Sequence, residues 1–279
     1  MPIISFWSSN PRESGQTLSI AALATYMAIE HNYRILVVDA TFDDDTLERC
    51  FWKVNNTKDV AKMLNKGKMD ISSGAEGLVS AVASNKTTPE IVTNYTRVVF
   101  KNRLDILCGL KTKIPEEFTK SLMLYKDLVK TADKYYDLVF VDLEKTLKKD
   151  TTKTLLETSH VIVTNFSQNL KQVDEYIKVK MQNPLILPKD KCITLLSNAD
   201  ENSKYNVKNV TRYVKERDVC QVTYSPTFME AASEAGVATF FLKTRLSSSA
   251  NDKNSAFIKS VAELAKAIDY KLEELKYKT

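Results

Sequence analysis

The stretch SSNPRESGQTLSIAALATYMA, from Ser8 to Ala28, decides the fold of this chain. It follows a short apolar run, Ile3–Trp7, and from Leu18 to Ile29 its apolar residues recur at helical spacing. A strand, a loop that contains a glycine and then a helix is the order found in phosphate-binding units of nucleotide-binding α/β proteins. The question is whether this loop binds phosphate or only starts a helix.

The loop retains half of the phosphate-binding template GxxxxGK[ST]. Gly15 and Thr17 match the second glycine and the hydroxyl residue. Asn10 stands at the first glycine and Gln16 at the lysine. Because serine and threonine also cap ordinary helices, Ser14 or Thr17 could serve only as a helix cap. Taken alone, the loop favours a helix start, so the rest of the chain has to decide.

The composition narrows the classes of protein. A chain of 279 residues with 43% hydrophobic content can form one large α/β domain or two small ones. No run approaches the roughly 18 apolar residues of a membrane span, and no secretory signal is expected. The 4 cysteines are widely separated, without metal-type spacing, so they predict reduced thiols and a cytoplasmic location. The net charge of +5 permits binding to DNA or to an anionic membrane without requiring it.

Short apolar runs alternate with helical patterns along the chain. Such runs are typical of parallel strands that are buried on both faces. The alternation predicts an α/β fold: a doubly wound, mostly parallel sheet with helices on both faces, in a single domain over 1–279. The predicted strands are Ile3–Trp7, Arg34–Val38, Leu104–Leu107, Leu138–Val141, His160–Val163 and Cys192–Leu196.

Two segments differ from this alternation. The stretch 43–102 is less regular, and we interpret it as a helical insertion between the second and third strands. The segment from about 255 to 277 is an amphipathic helix, whose apolar stripe favours packing on the sheet. Its lysines leave peripheral membrane contact, or contact with a partner, as the alternative.

The ends of two predicted strands carry aspartates. Ligands in doubly wound sheets bind beyond the carboxyl ends of the strands. Asp39 ends the second strand and Asp142 ends the central one. Carboxylates at these positions can hold Mg²⁺ or orient a water molecule. The candidate metal ligands are therefore Thr17, Asp39 and Asp142, and Asp39 is the candidate catalytic residue.

Two later strand ends carry groups suited to a nucleotide base. Asn198 follows the run CITLL, and its amide could donate to and accept from an adenine edge, although a loop cap is the plainer role. Ser225 and Pro226 follow another short strand, where the backbone could form a wall beside the base.

In this order, the pieces resemble the ParA/MinD superfamily of deviant Walker A ATPases over nearly the whole chain. PRESGQT lies where those proteins carry KGGxGK[ST], VVDAT at their second-strand aspartate, LVFVD at Walker B and LLSNAD at the base-contacting asparagine. The resemblance implies a P-loop NTPase fold that binds ATP or ADP with Mg²⁺ and forms a homodimer. The nucleotide-binding residues that it implies are Arg12, Glu13, Ser14, Gly15, Gln16, Thr17, Leu18, Asn198, Ser225 and Pro226.

Within that superfamily the chain looks most like the atypical TadZ/CpaE branch, which places pilus and secretion machinery in the cell. The segments ISFWSSN, LDILCGL and SKYNVKNVTRYV carry this similarity. It implies self-association and a pilus, secretion or other polar assembly as partner. DNA, which a partitioning ATPase would bind, is the less favoured partner.

The loop departs from the family pattern at its charged positions. Pro11 and Gln16 replace the two family lysines, and Arg12 and Glu13 replace two glycines. A charged hydrogen bond contributes about 1.5–3 kcal/mol against about 1 kcal/mol for a neutral one, so phosphate affinity should fall. We expect an eroded phosphate loop that binds ATP more readily than it hydrolyses it. A nucleotide-controlled switch and a pseudo-ATPase localisation scaffold both remain open.

Overall fold

Eight strands form a single sheet within the residues that the computed structural model describes, which are 2–9, 14–53, 74–84, 88–143, 150–217, 219–246 and 253–276. In chain order, β1 to β8 are Ile3–Trp7, Ile35–Ala40, Arg97–Phe100, Leu104–Leu107, Leu138–Leu143, Val161–Phe166, Cys192–Ala199 and Val219–Thr223.

The sheet is mostly parallel and doubly wound. Its strand order is β3-β4-β2-β5-β1-β6-β7-β8, and only the edge strand β3 runs antiparallel to its neighbour. Every residue of β1, β2, β5 and β6 is buried. Central strands covered on both faces need apolar side chains on both faces, which is why they form continuous apolar runs. The predicted fold class is confirmed.

Helices cover both faces of the sheet. In chain order, α1 to α11 are Gln16–Glu30, Thr46–Arg49, Gly74–Ala83, Pro115–Leu122, Tyr125–Ala132, Asp150–Thr158, Leu170–Gln182, Val207–Val214, Pro226–Ser233, Val237–Leu246 and Ser255–Lys276, and a 3-10 helix spans Pro89–Asn94.

Strand β1 shows how the two layers of the core form. Successive side chains of a strand point to opposite faces. Ile4 and Phe6 belong to the core on the side of α1 and α11, whereas Ile3 and Trp7 belong to the core on the side of α5. Helix α1 therefore packs on one face of the sheet, and its first turn lies at the carboxyl ends of the central strands.

The segment 43–102 contains more than the predicted helices. Its last element, β3, is a strand that pairs with β4, so the expectation of a purely helical insertion was wrong at that end. The sequence RVVF has the β-branched and aromatic residues that favour a strand, and β4 offers it an open edge. Residues 54–73 of this segment lie outside the described residues.

The last helix, α11, packs on the sheet and on α1. Its apolar stripe, which includes Phe257, Val261, Leu264 and Ile268, is buried in the core. The ring of Phe257 stacks on that of Phe228, with 4.6 Å between the ring centroids. Across the described ranges, none of the helices has both the length and the apolar character needed to cross a membrane.

Candidate functional site

The first turn of α1 lies against the end of β7. Gly15 precedes α1 in the left-handed conformation, with φ of 67°. A Cβ atom at this position would lie 2.8 Å from Cβ of Ser197 and 3.0 Å from Nδ2 of Asn198. Only glycine combines this backbone angle with this close approach. The structure therefore brings the loop glycine and the predicted base-contacting asparagine into direct contact.

Gln16, at the position of the template lysine, points towards the end of β5. Its Nε2 donates to Oδ1 of Asp142 at 2.5 Å and to the backbone oxygen of Leu143 at 3.0 Å. The side chain is 1% exposed, and among the described residues its Oε1 has no hydrogen-bond partner. The uncharged amide of Gln16 thus donates a hydrogen bond to Asp142, the carboxylate that the Walker B resemblance implies for the metal.

Asp39 and Asp142 are neighbours in register on β2 and β5, and both are buried. Oδ1 of Asp39 accepts from the backbone N–H of Thr41 at 3.0 Å and from its hydroxyl at 2.7 Å. Burial and then the charge of Asp142 raise the pKa of Asp39 to about 8, although the Thr41 hydrogen bonds oppose the shift. Near neutral pH, Asp39 is therefore mainly protonated, because two adjacent buried carboxylates cannot both ionise at low cost.

Sequence reasoning missed two residues that shape this carboxyl pair. Thr41 is one, and its signal was its position two residues after a strand-end aspartate, where a local side-chain bond is common. Gly109 is the other, since a Cβ atom there would lie 3.0 Å from Cγ of Asp39. A glycine two residues after the end of β4 leaves the space that the Asp39 carboxyl occupies.

Hydroxyl and amide groups tie α1 to β6 and β7. The hydroxyls of Ser19 and Ser197 are 3.1 Å apart, and Nδ2 of Asn165 donates to the Ser197 hydroxyl at 3.1 Å. These three residues were also missed. Only the polar interruptions in otherwise apolar strands, such as Asn165 in VIVTNF, could have indicated them. They hold the start of α1 at a set distance from the sheet.

The remaining predicted residues occupy different settings. Ser14 and Thr17 are buried beside Gly15, whereas Leu18 is half-buried against the core on the α1 side. Asn198 is half-buried and adopts a positive φ of 52°. Arg12 and Glu13 lie outside the described residues.

Ser225 has a structural role as the cap of α9. Its hydroxyl oxygen accepts from the backbone N–H of Phe228 at 3.2 Å. The same hydroxyl is 3.2 Å from Oδ1 of Asn254, to which it can donate. Pro226 follows as the first residue of the helix and is exposed. The backbone of this turn is thus fixed, while the Ser225 side chain is already engaged.

The carboxyl pair as arranged does not fit a magnesium ion. Mg²⁺ requires a near-ideal octahedron of oxygen ligands at about 2.0–2.1 Å and retains several waters. Asp142 is 0% exposed and accepts from Gln16, and Asp39 is 2% exposed and accepts from Thr41. In the described part of the chain, no group of three or more histidine, cysteine, aspartate or glutamate residues could hold a metal ion.

The fold has known counterparts among solved structures. The chain is similar to a ParA family ATPase from Chlorobium tepidum TLS, with 16% identity, 95% of this chain and 98% of that chain covered, and a TM-score of 0.71. The fold is that of the ParA and MinD ATPases. The septum site-determining protein MinD from Pyrococcus horikoshii OT3, solved with Mg-ADP, has 16% identity, coverage of 97% and 98%, and a TM-score of 0.66.

The third similar structure is a complex of two proteins. A chain of the MinC:MinD cell division protein complex of Aquifex aeolicus has 12% identity, coverage of 95% of each chain and a TM-score of 0.62. No protein-family model matches the sequence, and no curated protein matches it. At these identities the ParA/MinD likeness establishes the fold, and the function has to be argued from the site.

Proposed function

We propose that this protein is a ParA/MinD-like nucleotide-binding switch. ATP binds at the carboxyl ends of the strands and favours a homodimer, which positions a pilus, secretion or other polar assembly. The single observation that carries this proposal is the contact of Gly15 with Ser197 and Asn198. That contact supports the proposal because it brings the loop glycine next to the asparagine predicted to contact the base.

The start of α1 is suited to an anion. The first backbone N–H groups of a helix have no partner within the helix and carry partial positive charge. The first turn of α1 contains no acidic residue, and no side chain among the described residues caps it. A phosphate group next to Gly15 would satisfy these donors, as in other helix-terminus anion sites.

The neutral side chain of Gln16 favours ATP binding without efficient hydrolysis. Developing negative charge in phosphoryl transfer is stabilised mainly by preorganised positive groups. Gln16 brings no charge, and its Nε2 is committed to Asp142 and Leu143. We therefore expect nucleotide to act as a ligand that changes the oligomeric state, with hydrolysis slow or absent.

Calorimetric titration with ATP and ADP, with and without Mg²⁺, tests the switch when it is combined with sedimentation of the same samples. Micromolar ATP binding with a shift from monomer to dimer is the expected result. No binding up to millimolar nucleotide would overturn the proposal. The Asp39→Ala variant is the second arm, because a switch should lose nucleotide-dependent dimerisation when this strand-end carboxyl group is removed.

A pseudo-ATPase localisation scaffold is the second candidate, and the Gln16–Asp142 hydrogen bond favours it. In a scaffold, this bond would close the site permanently, and the fold would serve only as a surface. The same samples separate the two functions. A scaffold should sediment identically with and without nucleotide, and Asp39→Ala should leave its oligomeric state unchanged.

The cellular role stays a prediction. The TadZ/CpaE similarity supports a pilus or secretion assembly as partner, and the cysteine usage supports a cytoplasmic location. Co-purification of the tagged protein from its own cells tests the role. Recovery of pilus or secretion components is expected, whereas recovery of chromosomal or plasmid DNA in their place would favour a partitioning ATPase.

A further inference from the structure

The hydrogen bonds of Gln16 determine which way its amide faces. Both groups that it contacts, the Asp142 carboxylate and the Leu143 backbone oxygen, are acceptors. An amide turned the other way would place Oε1 against two acceptors. Nε2 must therefore face the end of β5, and the amide presents a donor to Asp142 at the position where a metal ion would present positive charge.

The surroundings of this contact leave little room for a hydrated cation. Gln16, Asp39 and Asp142 are each at most 2% exposed. Mg²⁺ gives up its water shell reluctantly and usually keeps several waters when it is bound by one or two carboxylates. To reach Asp142, the ion would have to displace a buried amide that makes two hydrogen bonds. The Gln16 side chain therefore stands between the cation and the Asp142 carboxylate.

We propose that the Gln16 amide replaces the divalent cation at this site: it keeps the Asp142 carboxylate closed to Mg²⁺, so that nucleotide binds without a metal ion. The part that concerns nucleotide rests on the proposed switch. The exclusion of the metal rests only on the contact between Gln16 and Asp142 and holds in the nucleotide-free protein.

Direct titration of the full chain with Mn²⁺, followed by electron paramagnetic resonance of the free ion, measures the exclusion. The wild-type protein is expected to bind Mn²⁺ no more tightly than in the millimolar range. Gln16→Ala removes the donor from Asp142 and should raise the affinity by about tenfold or more, because accessible carboxylates set the affinity for hard cations. Adding Asp142→Asn to Gln16→Ala should abolish the gain.

Gln172 provides the matched control. It is a helical glutamine that is also 1% exposed, and its Oε1 accepts from the backbone N–H of Ser167 at 2.9 Å. Gln172→Ala therefore removes a buried glutamine of comparable environment away from the site, and it should leave Mn²⁺ affinity at the wild-type level. A gain in both alanine variants would overturn the proposal, since loosening of the fold would then explain it.

Wild-type protein alone supplies a second measurement that needs no variant to fold. ATP affinity measured in Mg²⁺ and in EDTA should agree within about twofold, because no metal-bound carboxylate contributes to binding. Micromolar Mn²⁺ binding by the wild type, or an unchanged affinity in Gln16→Ala, would overturn the exclusion. Absence of ATP binding in both buffers would instead overturn the proposed switch, while the Mn²⁺ titration would still decide the exclusion.

Discussion

The two sides of the candidate site are held together by different physical constraints. On the amide side, formed by Gly15, Ser197 and Asn198, backbone angle and close contact leave almost no freedom of residue type at the glycine. On the carboxylate side, formed by Gln16, Asp39 and Asp142, the neutral amide of Gln16 donates a hydrogen bond to a buried carboxyl group. Steric constraint therefore fixes residue type on the amide side, whereas hydrogen bonding and charge determine the arrangement of the carboxylate side.

Gly15→Ala should produce the largest loss of stability, because the added methyl group introduces both backbone strain and steric overlap on the amide side. A left-handed alanine costs about 1–2 kcal/mol, and forcing a methyl group into a packed site adds about 1–3 kcal/mol. The free energy of unfolding should therefore fall by about 2–5 kcal/mol. Urea denaturation measures this difference.

Gly74→Ala is the matched control for the backbone term. Gly74 has φ of 68°, but among the described residues an added Cβ atom would meet only Oε2 of Glu76, at 3.9 Å. Its substitution should cost only the strain of about 1–2 kcal/mol. Equal losses for the two glycines would contradict the close contact that defines the amide side.

Asp39→Asn should remove a pH dependence that comes from the carboxylate side. The pKa of Asp39 is raised from 3.8 to about 8 on folding, chiefly by burial and then by Asp142. The folded state thus retains a proton that the unfolded state loses, and wild-type stability should fall as pH rises between these two values. Asparagine carries no titrating proton and can still accept from Thr41.

Urea denaturation at several values between about pH 5 and pH 8 checks this prediction. The wild type should lose about 3–4 kcal/mol more than Asp39→Asn across this interval, since each pH unit between the two pKa values corresponds to about 1.4 kcal/mol. Parallel pH profiles for the two proteins would mean that the Asp39 carboxyl is already ionised in the folded state.

Gln16→Lys tests the carboxylate side by placing a positive charge there. If nucleotide phosphates lie at the start of α1, a charged donor should raise ATP affinity by about tenfold, the difference between a charged and a neutral hydrogen bond. Calorimetric titration of the variant measures the change, and Gln16→Ala is the neutral reference. An unchanged ATP affinity in the lysine variant would place the phosphates away from residue 16.

The same contrast shows what sequence can predict. The central strands were predictable because burial on both faces demands continuous apolar runs, whereas β3 depends on the open edge of β4, and its Val98 is 56% exposed. Asp39 and Asp142 were predictable from their strand ends. The direction of the Gln16 side chain was not, because its partner is 126 positions away and residue type does not encode which acceptor a buried amide reaches.

Asn198→Gly should produce the smallest change, and it tests whether the amide side recognises a base. Asn198 has φ of 52°, which glycine adopts without strain, so stability should change by less than about 1 kcal/mol. Asn102→Gly is the control, since Asn102 is exposed and has φ of 59°. Both variants should unfold at similar urea concentrations.

Nucleotide preference separates the two asparagines. If the Asn198 amide reads the adenine edge, Asn198→Gly should reduce the preference for ATP over GTP by about tenfold, because a site that hydrogen-bonds its ligand loses discrimination when the partner is removed. Asn102→Gly should retain the wild-type preference. An unchanged preference in Asn198→Gly would mean that this residue only closes the turn over Gly15, and that the amide side preserves the shape of a nucleotide site without reading the base.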